Sequence, residues 1–310
     1  MSAKAVPFRD LGKNANDLLS KGFPTTFKVE VTTAQEGLTF VSAVEKKRGK
    51  KATDADFVFG SVQPKFKNDK YGFEFNGTLD TAGAAKGDFI FKDLLSIKGL
   101  KTTLKTQVAG TQTADFALEY ALPSLNLGSN LVWKAEAPLA VSASAVAATN
   151  DISAGFHSSY RFASESSEAF LDKIEAAANF KKQAFDITAF VRNEKTLSGA
   201  TDKGVEDKWT VSGSAHYSVD KNTAFAVTAD HDLSKSIVEG LNVRFGGSFN
   251  YGRFALKAKA DTKGIVALSV SENLSPSVNY TLGSEIDTNN LAGNAHKFGL
   301  SLTVKPKKKK

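Results

Sequence analysis

The chain has 310 residues, a mass of 33.1 kDa and a formal net charge of +7 at pH 7. With 41% hydrophobic and 24% charged residues it is not a disordered chain, and without cysteine it can hold neither a disulfide framework nor a thiolate metal site. Lysines at positions 305 and 307–310 supply +5 of that charge, so the remaining +2 over residues 1–304 does not indicate nucleic-acid binding.

The first 22 residues predict one short amphipathic helix that ends at Gly22 and Pro24. The apolar residues that recur at helical spacing are Phe8, Leu11, Ala15, Leu18 and Leu19, and the polar residues largely opposite them are Arg9, Lys13, Asn16 and Asp17. A secretory signal peptide is not expected, because these residues lack a continuous apolar core. Taken alone, the helix could equally pack as ordinary core on a sheet.

From Thr25 onward the hydrophobic period changes to two, which is typical of strands. In "TFKVEVT", for example, Phe27, Val29 and Val31 lie opposite Lys28 and Glu30. About ten residues per strand and turn predict roughly 19 strands in an all-β body. The stretch 164–180 is interpreted as a loop followed by a strand, and the polar stretch 193–209 as a long mobile loop.

No stretch of the chain predicts a membrane-spanning helix. The longest segments without a charged residue, 120–133 and 137–150, have 14 residues each, whereas a span needs about 20. If the chain enters a membrane, it must do so as a closed β-barrel, because only helices and barrels satisfy their backbone groups in lipid.

Catalytic and metal-binding patterns are missing from the sequence. The four histidines, His157, His216, His231 and His296, occur singly and form no pair at ligand spacing. Asp230 and Asp232 flank His231, but adjacent strand residues point to opposite faces, which argues against a shared metal. No nucleophile elbow, phosphate-binding loop or dinucleotide fingerprint occurs, so we expect neither an enzyme nor a metal site.

Three segments of the chain together carry a family resemblance. They are "FRDLGKNANDLLSKGF" at 8–23, "IKGLK" at 97–101, and the stretch 264–302 with Pro276 and "HKFG" at 296–299. In this order they resemble the opening helix, a motif after an early hairpin and the last strands of the mitochondrial porins, or voltage-dependent anion channels, and the last stretch aligns without a gap. The resemblance covers nearly the whole chain.

That family implies a transmembrane β-barrel of about 19 strands whose first and last strands pair in parallel, with the helix inside the pore. The expected division is a lumenal helix and linker at 1–24, the barrel at 25–304 and a basic tail at 305–310. The implied function is a voltage-gated, weakly anion-selective pore for metabolites and nucleotides in the mitochondrial outer membrane. The implied partners are the lipid bilayer, adenine nucleotides, further copies of the chain and cytosolic proteins such as hexokinase. No bound cofactor is implied beyond weak binding of ATP, ADP or NAD.

The polar strand faces and the helix then supply the candidate pore residues. Those expected to set selectivity are Arg9, Lys13, Lys21, Lys28, Lys65, Lys67, Arg244, Lys257 and Lys259. The resemblance carries nucleotide contacts over to Lys13, Lys21, Lys101, Ile265, Val266, Ala267, Gly283, Ser284, Glu285, Ile286 and Asp287. The last strand resembles a mitochondrial insertion signal at Lys297, Gly299, Leu300, Leu302 and Val304.

Two other functions and two departures from the family pattern stay open at this point. A related barrel conducts polypeptides during protein import, and a soluble β-barrel that binds lipid or protein would show the same alternation. Glu74 lies near the position of a membrane-facing glutamate in animal members, yet its parity places it in the lumen. The tail "KPKKKK" has no counterpart in the family pattern, and is either a solvated charge run or an attachment to anionic membrane surfaces.

Overall fold

The computed structural model describes residues 5–47, 56–162, 169–197, 205–293 and 295–305. Within them the N-terminal segment forms a 3-10 turn, Phe8–Asp10, and helix α1, Lys13–Ser20. A second 3-10 turn spans Leu94–Ser96 and a single helical turn, α2, spans Ile237–Gly240. The nineteen strands are β1 Phe27–Gln35, β2 Leu38–Lys47, β3 Phe57–Asn68, β4 Phe73–Asp80, β5 Ala85–Lys92, β6 Leu100–Gln107, β7 Thr113–Ala121, β8 Leu125–Lys134, β9 Ala137–Thr149, β10 Ile152–Arg161, β11 Phe170–Lys182, β12 Phe185–Leu197, β13 Val205–Ser218, β14 Thr223–Asp232, β15 Leu241–Tyr251, β16 Phe254–Asp261, β17 Ile265–Ser275, β18 Val278–Asp287 and β19 Lys297–Val304.

The strands form one closed barrel. Each strand pairs in antiparallel fashion with the next along the chain, and β1 closes the ring by pairing with β19 in parallel. The closing register sets Phe27 beside Leu300 and Val31 beside Val304. An odd number of strands that alternate in direction must contain one parallel pair, and closure leaves no free edge. The strand number, the parallel closure and the all-β class predicted from the sequence are confirmed.

The two faces of the wall differ in polarity. Across the β1–β2 pair, Val29 lies opposite Val44, and both point outward with 46% and 54% of their surface exposed. Lys28 and Glu30 point inward and form an ion pair with a 2.8 Å N–O distance. A soluble barrel would turn its apolar face inward, so this distribution excludes that alternative and requires lipid around the wall. Within the described ranges, no helix is both long and apolar enough to span a bilayer.

The two ends of the barrel carry different connections. At one end of the barrel the strands are joined by tight connections, for example 36–37, 183–184, 252–253 and 276–277, and we call this end the short-turn rim. We call the opposite end the loop rim. Large exposed aromatic residues lie near both ends, including Trp133 and Trp209 at the loop rim and Tyr217 and Tyr251 at the short-turn rim. Such aromatic girdles mark the two membrane–water interfaces of barrel proteins.

The N-terminal segment is not the single helix predicted from the sequence. Gly12 has a φ of +67°, in the left-handed region, and separates the 3-10 turn from α1. A Cβ at this position would lie 2.7 Å from Oγ of Ser214 on the wall. A continuous helix from Phe8 to Leu19 is therefore replaced by two pieces, because the chain must bend to follow the curved inner wall.

The long loop predicted over 193–209 is also wrong in part. β12 continues to Leu197 and β13 begins at Val205, with Asn193 paired with Trp209 across them. The Asn193 side chain donates a hydrogen bond to Asp207, at 2.8 Å. Polar residues continue both strands here because they lie near the loop rim, where water can meet their side chains. Residues 198–204 lie outside the described residues, as do 163–168 of the predicted loop before β11.

The linker between α1 and β1 packs directly on two glycines of the wall. A Cβ added to Gly283 would lie 2.7 Å from Cδ of Pro24, and one added to Gly299 would lie 2.6 Å from the Pro24 carbonyl carbon. The space between linker and wall is therefore already filled by backbone atoms, which cannot move aside as a flexible side chain could.

We expect the Gly283→Ala substitution to lower the free energy of unfolding by about 1–3 kcal/mol, because the added methyl group displaces the linker. The measurement is equilibrium denaturation of the detergent-refolded protein, followed by circular dichroism. Gly213→Ala on β13 is the control, since a Cβ there meets nothing within 4 Å. Equal stability of the two variants would contradict the packing described here.

Candidate pore and its charged lining

The N-terminal segment lies inside the barrel and runs along its inner wall. Phe8 of the 3-10 turn is buried against Val146 and Ala177, and its ring stacks on His157 with centroids 5.7 Å apart. Phe190 meets the same ring edge-on at 6.2 Å. These contacts fix the start of the segment on strands β9 to β12.

Helix α1 continues along the wall toward β14 and β15. Its apolar side, Ala15, Leu18 and Leu19, is buried against Ala226 of β14. An eight-residue helix is too short to be stable alone in water, so these wall contacts are what hold it in helical form. The predicted attachment of the helix through its apolar residues is confirmed.

Two lysines of β16 fasten the end of the helix and its linker. Lys257 Nζ donates a hydrogen bond to the carbonyl oxygen of Lys21 at 3.1 Å, which satisfies one of the carbonyls left unpaired at a helix C-terminus. Two residues further along β16, Lys259 Nζ lies 4.7 Å from the centroid of the Phe23 ring. The predicted pore residues Lys257 and Lys259 thus contact the segment they face.

The cations of the segment project into the lumen, but each has an acidic neighbour. Lys13 Nζ lies 2.8 Å from Asp10, and Lys21 Nζ lies 2.7 Å from Asp17. The hydrogen bond that Lys13 donates to Asp10 raises the pKa of Lys13. Arg9 reaches across to Glu119 of β7 at 3.5 Å. The N-terminal segment therefore presents paired acidic and basic side chains to the lumen, so the three cations that the sequence predicted to set selectivity are partly neutralised by their partners.

A network of charged residues on β10 to β12 was not found by sequence reasoning. The buried Glu175 carboxylate contacts Lys173 at 3.0 Å and Arg192 at 2.5 Å, and His157 Nδ1 lies 3.2 Å from it. Glu194 contacts the same Lys173 at 3.3 Å. These residues come from three strands and are separated by up to 37 positions. The one signal in the sequence is that alternation along each strand places their side chains on the inner face.

Beside the segment lies an open lumenal cavity of about 1020 Å³. Its lining mixes both signs of charge and includes Lys101, Lys105, Asp88, Asp115, Glu119, Lys173, Glu175, Arg192, Glu194, Lys208, Asp230 and Arg244. Strands β5 to β8 contribute the wall that the segment leaves uncovered. A passage with charged walls and without an apolar plug can hold water and dissolved ions.

The remaining predicted selectivity residues all lie on the inner face. Lys28 pairs with Glu30, Lys67 with Asp69 at 2.7 Å, and Arg244 with Asp230 at 3.6 Å. Lys65 has no acidic partner among the described residues. Glu74 also points inward and contacts Lys92 at 2.6 Å, as its parity predicted.

The predicted nucleotide-contacting residues are distributed over different surfaces. Lys13, Lys21 and Lys101 face the lumen, and Lys101 lies 3.9 Å from Glu119. Among the β17–β18 candidates, Ala267 is fully buried and Gly283 lies beneath Pro24. By register Ile265, Glu285 and Asp287 share the inner face, whereas Val266, Ser284 and Ile286 share the outer face. Nucleotide binding at these positions stays a prediction.

The residues that resemble an insertion signal occupy the closing strand. Lys297 points inward and pairs with Glu285. Gly299 lies beneath the linker, while Leu300, Leu302 and Val304 lie beside Phe27, Val29 and Val31 of β1 on the outer face. These three outward residues of β19 thus lie at the pairing that closes the barrel. That the strand acts as an insertion signal stays a prediction.

The sequence comparisons with known proteins agree on one family. The family model described as eukaryotic porin matches residues 4–299. The non-selective voltage-gated ion channel VDAC2 of Xenopus laevis is 26% identical over 97% of this chain and 99% of its own length. The human non-selective voltage-gated ion channel VDAC1 is 24% identical, over 96% and 98% of the two chains. A mutant of the Rh. blastica porin superposes with a TM-score of 0.49 at 10% identity, over 84% of this chain and 95% of that chain.

The attachment of α1 by Lys257 generates a direct test. Because the chain has no cysteine, Leu18→Cys introduces a single thiol that is buried while the helix is docked. In this background we expect Lys257→Met to raise the rate of thiol labelling about fivefold, since loss of the hydrogen bond to the helix end favours undocking by about 1 kcal/mol. Lys65→Met, another inward lysine, is the control and should leave the rate unchanged. Equal rates in both variants would show that Lys257 does not hold the helix.

Proposed function

Since the chain belongs to the eukaryotic porin family, we propose that it forms a weakly anion-selective, voltage-gated diffusion pore for metabolites across the mitochondrial outer membrane. The protein is a multi-pass β-barrel of an outer membrane and a channel for small solutes, not an enzyme. The curated relatives named above are ion channels, which favours solute diffusion over polypeptide import.

One observation carries the proposal: a barrel with an apolar outer wall encloses a charged passage that the N-terminal segment fills only in part. The segment covers the inner wall from β9 to β15, and the cavity of about 1020 Å³ remains between it and the opposite strands. Ions cross such a passage without shedding their water. Selectivity then depends on where charges lie along the wall.

Ion pairing inside the lumen explains why the selectivity would be weak. Most inward cations that we describe lie within 4 Å of a carboxylate, so their fields largely cancel at the distance of a passing ion. Lys65, Lys257 and Lys259 have no carboxylate partner among the described residues and favour anions over cations. Asp88 and Asp115 of the cavity lining act in the opposite sense, which keeps the preference weak.

Nucleotide passage and cellular partners belong to the same proposal. Lys13, Lys21 and Lys101 face the lumen and can attract phosphate groups, although each also has an acidic neighbour. Such contacts would be weak and short-lived, which suits transport better than storage. Residence in the mitochondrial outer membrane, assembly with further copies and docking of hexokinase are what the family resemblance implies, and they form part of this proposal.

Single-channel recording of the refolded protein in a planar bilayer tests this function. We expect a large conductance that favours anions near zero voltage and drops to a lower substate at either polarity. A reversal potential in a salt gradient gives the selectivity. A protein that inserts into the bilayer yet conducts no ions would overturn the proposal.

Reversing one uncompensated lumenal charge should change the selectivity. In Lys65→Glu we expect the anion-to-cation permeability ratio to fall about two- to threefold, because a change of two charge units alters the energy of a monovalent ion in the lumen by about half a kT, with opposite sign for anions and cations. Lys46→Glu is the matched control: Lys46 lies on the outward row with Val44 and pairs with Asp56 at 3.0 Å. The control changes the net charge equally, so an equal shift in both variants would mean that placement in the lumen is irrelevant.

A further inference from the structure

A carboxylate lies on the outer, lipid-facing wall near the short-turn rim. Along β17 the outward row runs Leu268, Val270 and then Glu272, which lies opposite Phe254 on β16 and Tyr280 on β18. Only 7% of the Glu272 side chain is exposed. A charged carboxylate on this face is costly unless it is paired with a cation or a hydrogen-bond donor.

Two neighbouring side chains satisfy the carboxylate. The Tyr280 hydroxyl donates a hydrogen bond to one oxygen at 2.6 Å, and Arg253 Nε lies 2.7 Å from the other. Arg253 belongs to the 252–253 turn, and its guanidinium carbon lies 5.3 Å from the centroid of the outward-facing Phe254 ring. The arginine thus folds down over the outer wall from the rim.

The arrangement leaves the outer side of the guanidinium available. Glu272 binds through Nε, and 65% of the Arg253 side chain is exposed. Among the described residues the guanidinium has no second acidic partner. The two terminal nitrogens can therefore form the parallel hydrogen bonds by which arginine binds a phosphate group. The buried Glu272 carboxylate holds the Arg253 guanidinium in a fixed orientation, which favours binding by its terminal nitrogens.

An apolar groove begins next to this anchor on the same wall. The groove has a volume of about 410 Å³, and its lining includes Phe27, Leu268, Val270, Leu282, Phe298 and Leu300. Val270 is two residues from Glu272 on β17, and Leu282 is two residues from Tyr280 on β18. At about 3.3 Å per strand residue, the groove starts roughly 7 Å from the anchor, toward the middle of the wall.

From these two observations we infer that the outer wall of β16 to β19 is a specific phospholipid site. The phosphodiester binds the terminal nitrogens of Arg253, and one acyl chain lies in the groove over Ser284 between β17 and β19. A free phosphate ion could use the arginine but not the groove, and a neutral lipid without phosphate could use the groove but not the arginine. A phospholipid satisfies both features at their observed spacing.

The inference rests on the barrel spanning a membrane and not on its conducting ions. Arg253 lies outside the lumen, so Arg253→Gln should leave the single-channel conductance as it is in the unchanged protein. Failure of the channel function would appear as absent conductance in every variant, and failure of the lipid site would appear only in lipid binding.

Native mass spectrometry of the full chain in detergent tests the site. The probes are dioleoylphosphatidylglycerol and, as the same acyl chains without phosphate, dioleoylglycerol, each titrated to obtain an apparent Kd for the first bound lipid. We expect the phospholipid to bind at least about tenfold more tightly than dioleoylglycerol, because its phosphate gains charged hydrogen bonds.

Two substitutions separate the two halves of the site. Arg253→Gln should weaken phospholipid binding about tenfold and leave dioleoylglycerol binding unchanged, whereas Ser284→Leu fills the groove and should weaken both. The matched control for the arginine variant is Lys221→Gln, at a neighbouring turn of the same rim. The matched control for the groove variant is Ser42→Leu, on the outward row of β2. Neither control should change the affinity for either lipid. Arg253→Lys keeps the positive charge but lacks the two parallel nitrogens of the guanidinium, so its loss of phospholipid affinity should be intermediate. It replaces Arg253→Gln if that variant does not fold.

Equal phospholipid affinity in Arg253→Gln and Lys221→Gln would overturn the inference, as would equal affinity in Ser284→Leu and Ser42→Leu. Equal binding of the two lipids by the unchanged protein would do the same, since it would mean that the phosphate is not recognised.

Discussion

Each strand of the wall satisfies its backbone through its two neighbours, and the ring is complete only because β1 and β19 pair in parallel. In lipid an unpaired N–H or C=O costs several kcal/mol, so a wall with one open seam would be unstable in the bilayer. Closure also links the faces of neighbouring strands, because the side-chain period of a strand is two. Once Phe27 and Leu300 share the outer face, the inner face of the other strands follows from the register, apart from local shifts in the pairs β8–β9, β10–β11 and β17–β18.

That parity makes the lumen polar without making it strongly charged. Inward residues from neighbouring strands come close enough to pair, as Lys173, Glu175 and Arg192 do across β11 and β12. Pairing removes most of the cost of confining charges in a narrow space, and it also weakens the field that a permeant ion meets. The same interactions that stabilise the wall therefore limit how selective the pore can be.

The sequence could predict this parity but not the contacts that depend on it. Alternation at Phe27, Val29 and Val31 was sufficient to assign faces, and helical spacing identified the buried residues of the N-terminal segment. The break at Gly12 was not predictable, because it reflects the position of Ser214 on a strand some 200 residues later. The strand residues 193–197 and 205–209 were missed because polar residues near a rim resemble a loop in composition. Glu272 sits in an outward row, and its partners Arg253 and Tyr280 come from two other elements of the barrel.

The N-terminal segment depends on the wall more than the wall depends on it. An eight-residue helix has little stability of its own. Its position is set by a small apolar contact with Ala226, a hydrogen bond from Lys257, a hydrogen bond from Asn14 to Asp186 and the linker over Gly283. The barrel, by contrast, is held by backbone hydrogen bonds around its whole circumference. The segment is thus held by far fewer interactions than the wall, while it fills part of the space inside the barrel. A few inward-facing wall residues that contact the segment can therefore change the size of the pore without changing the barrel.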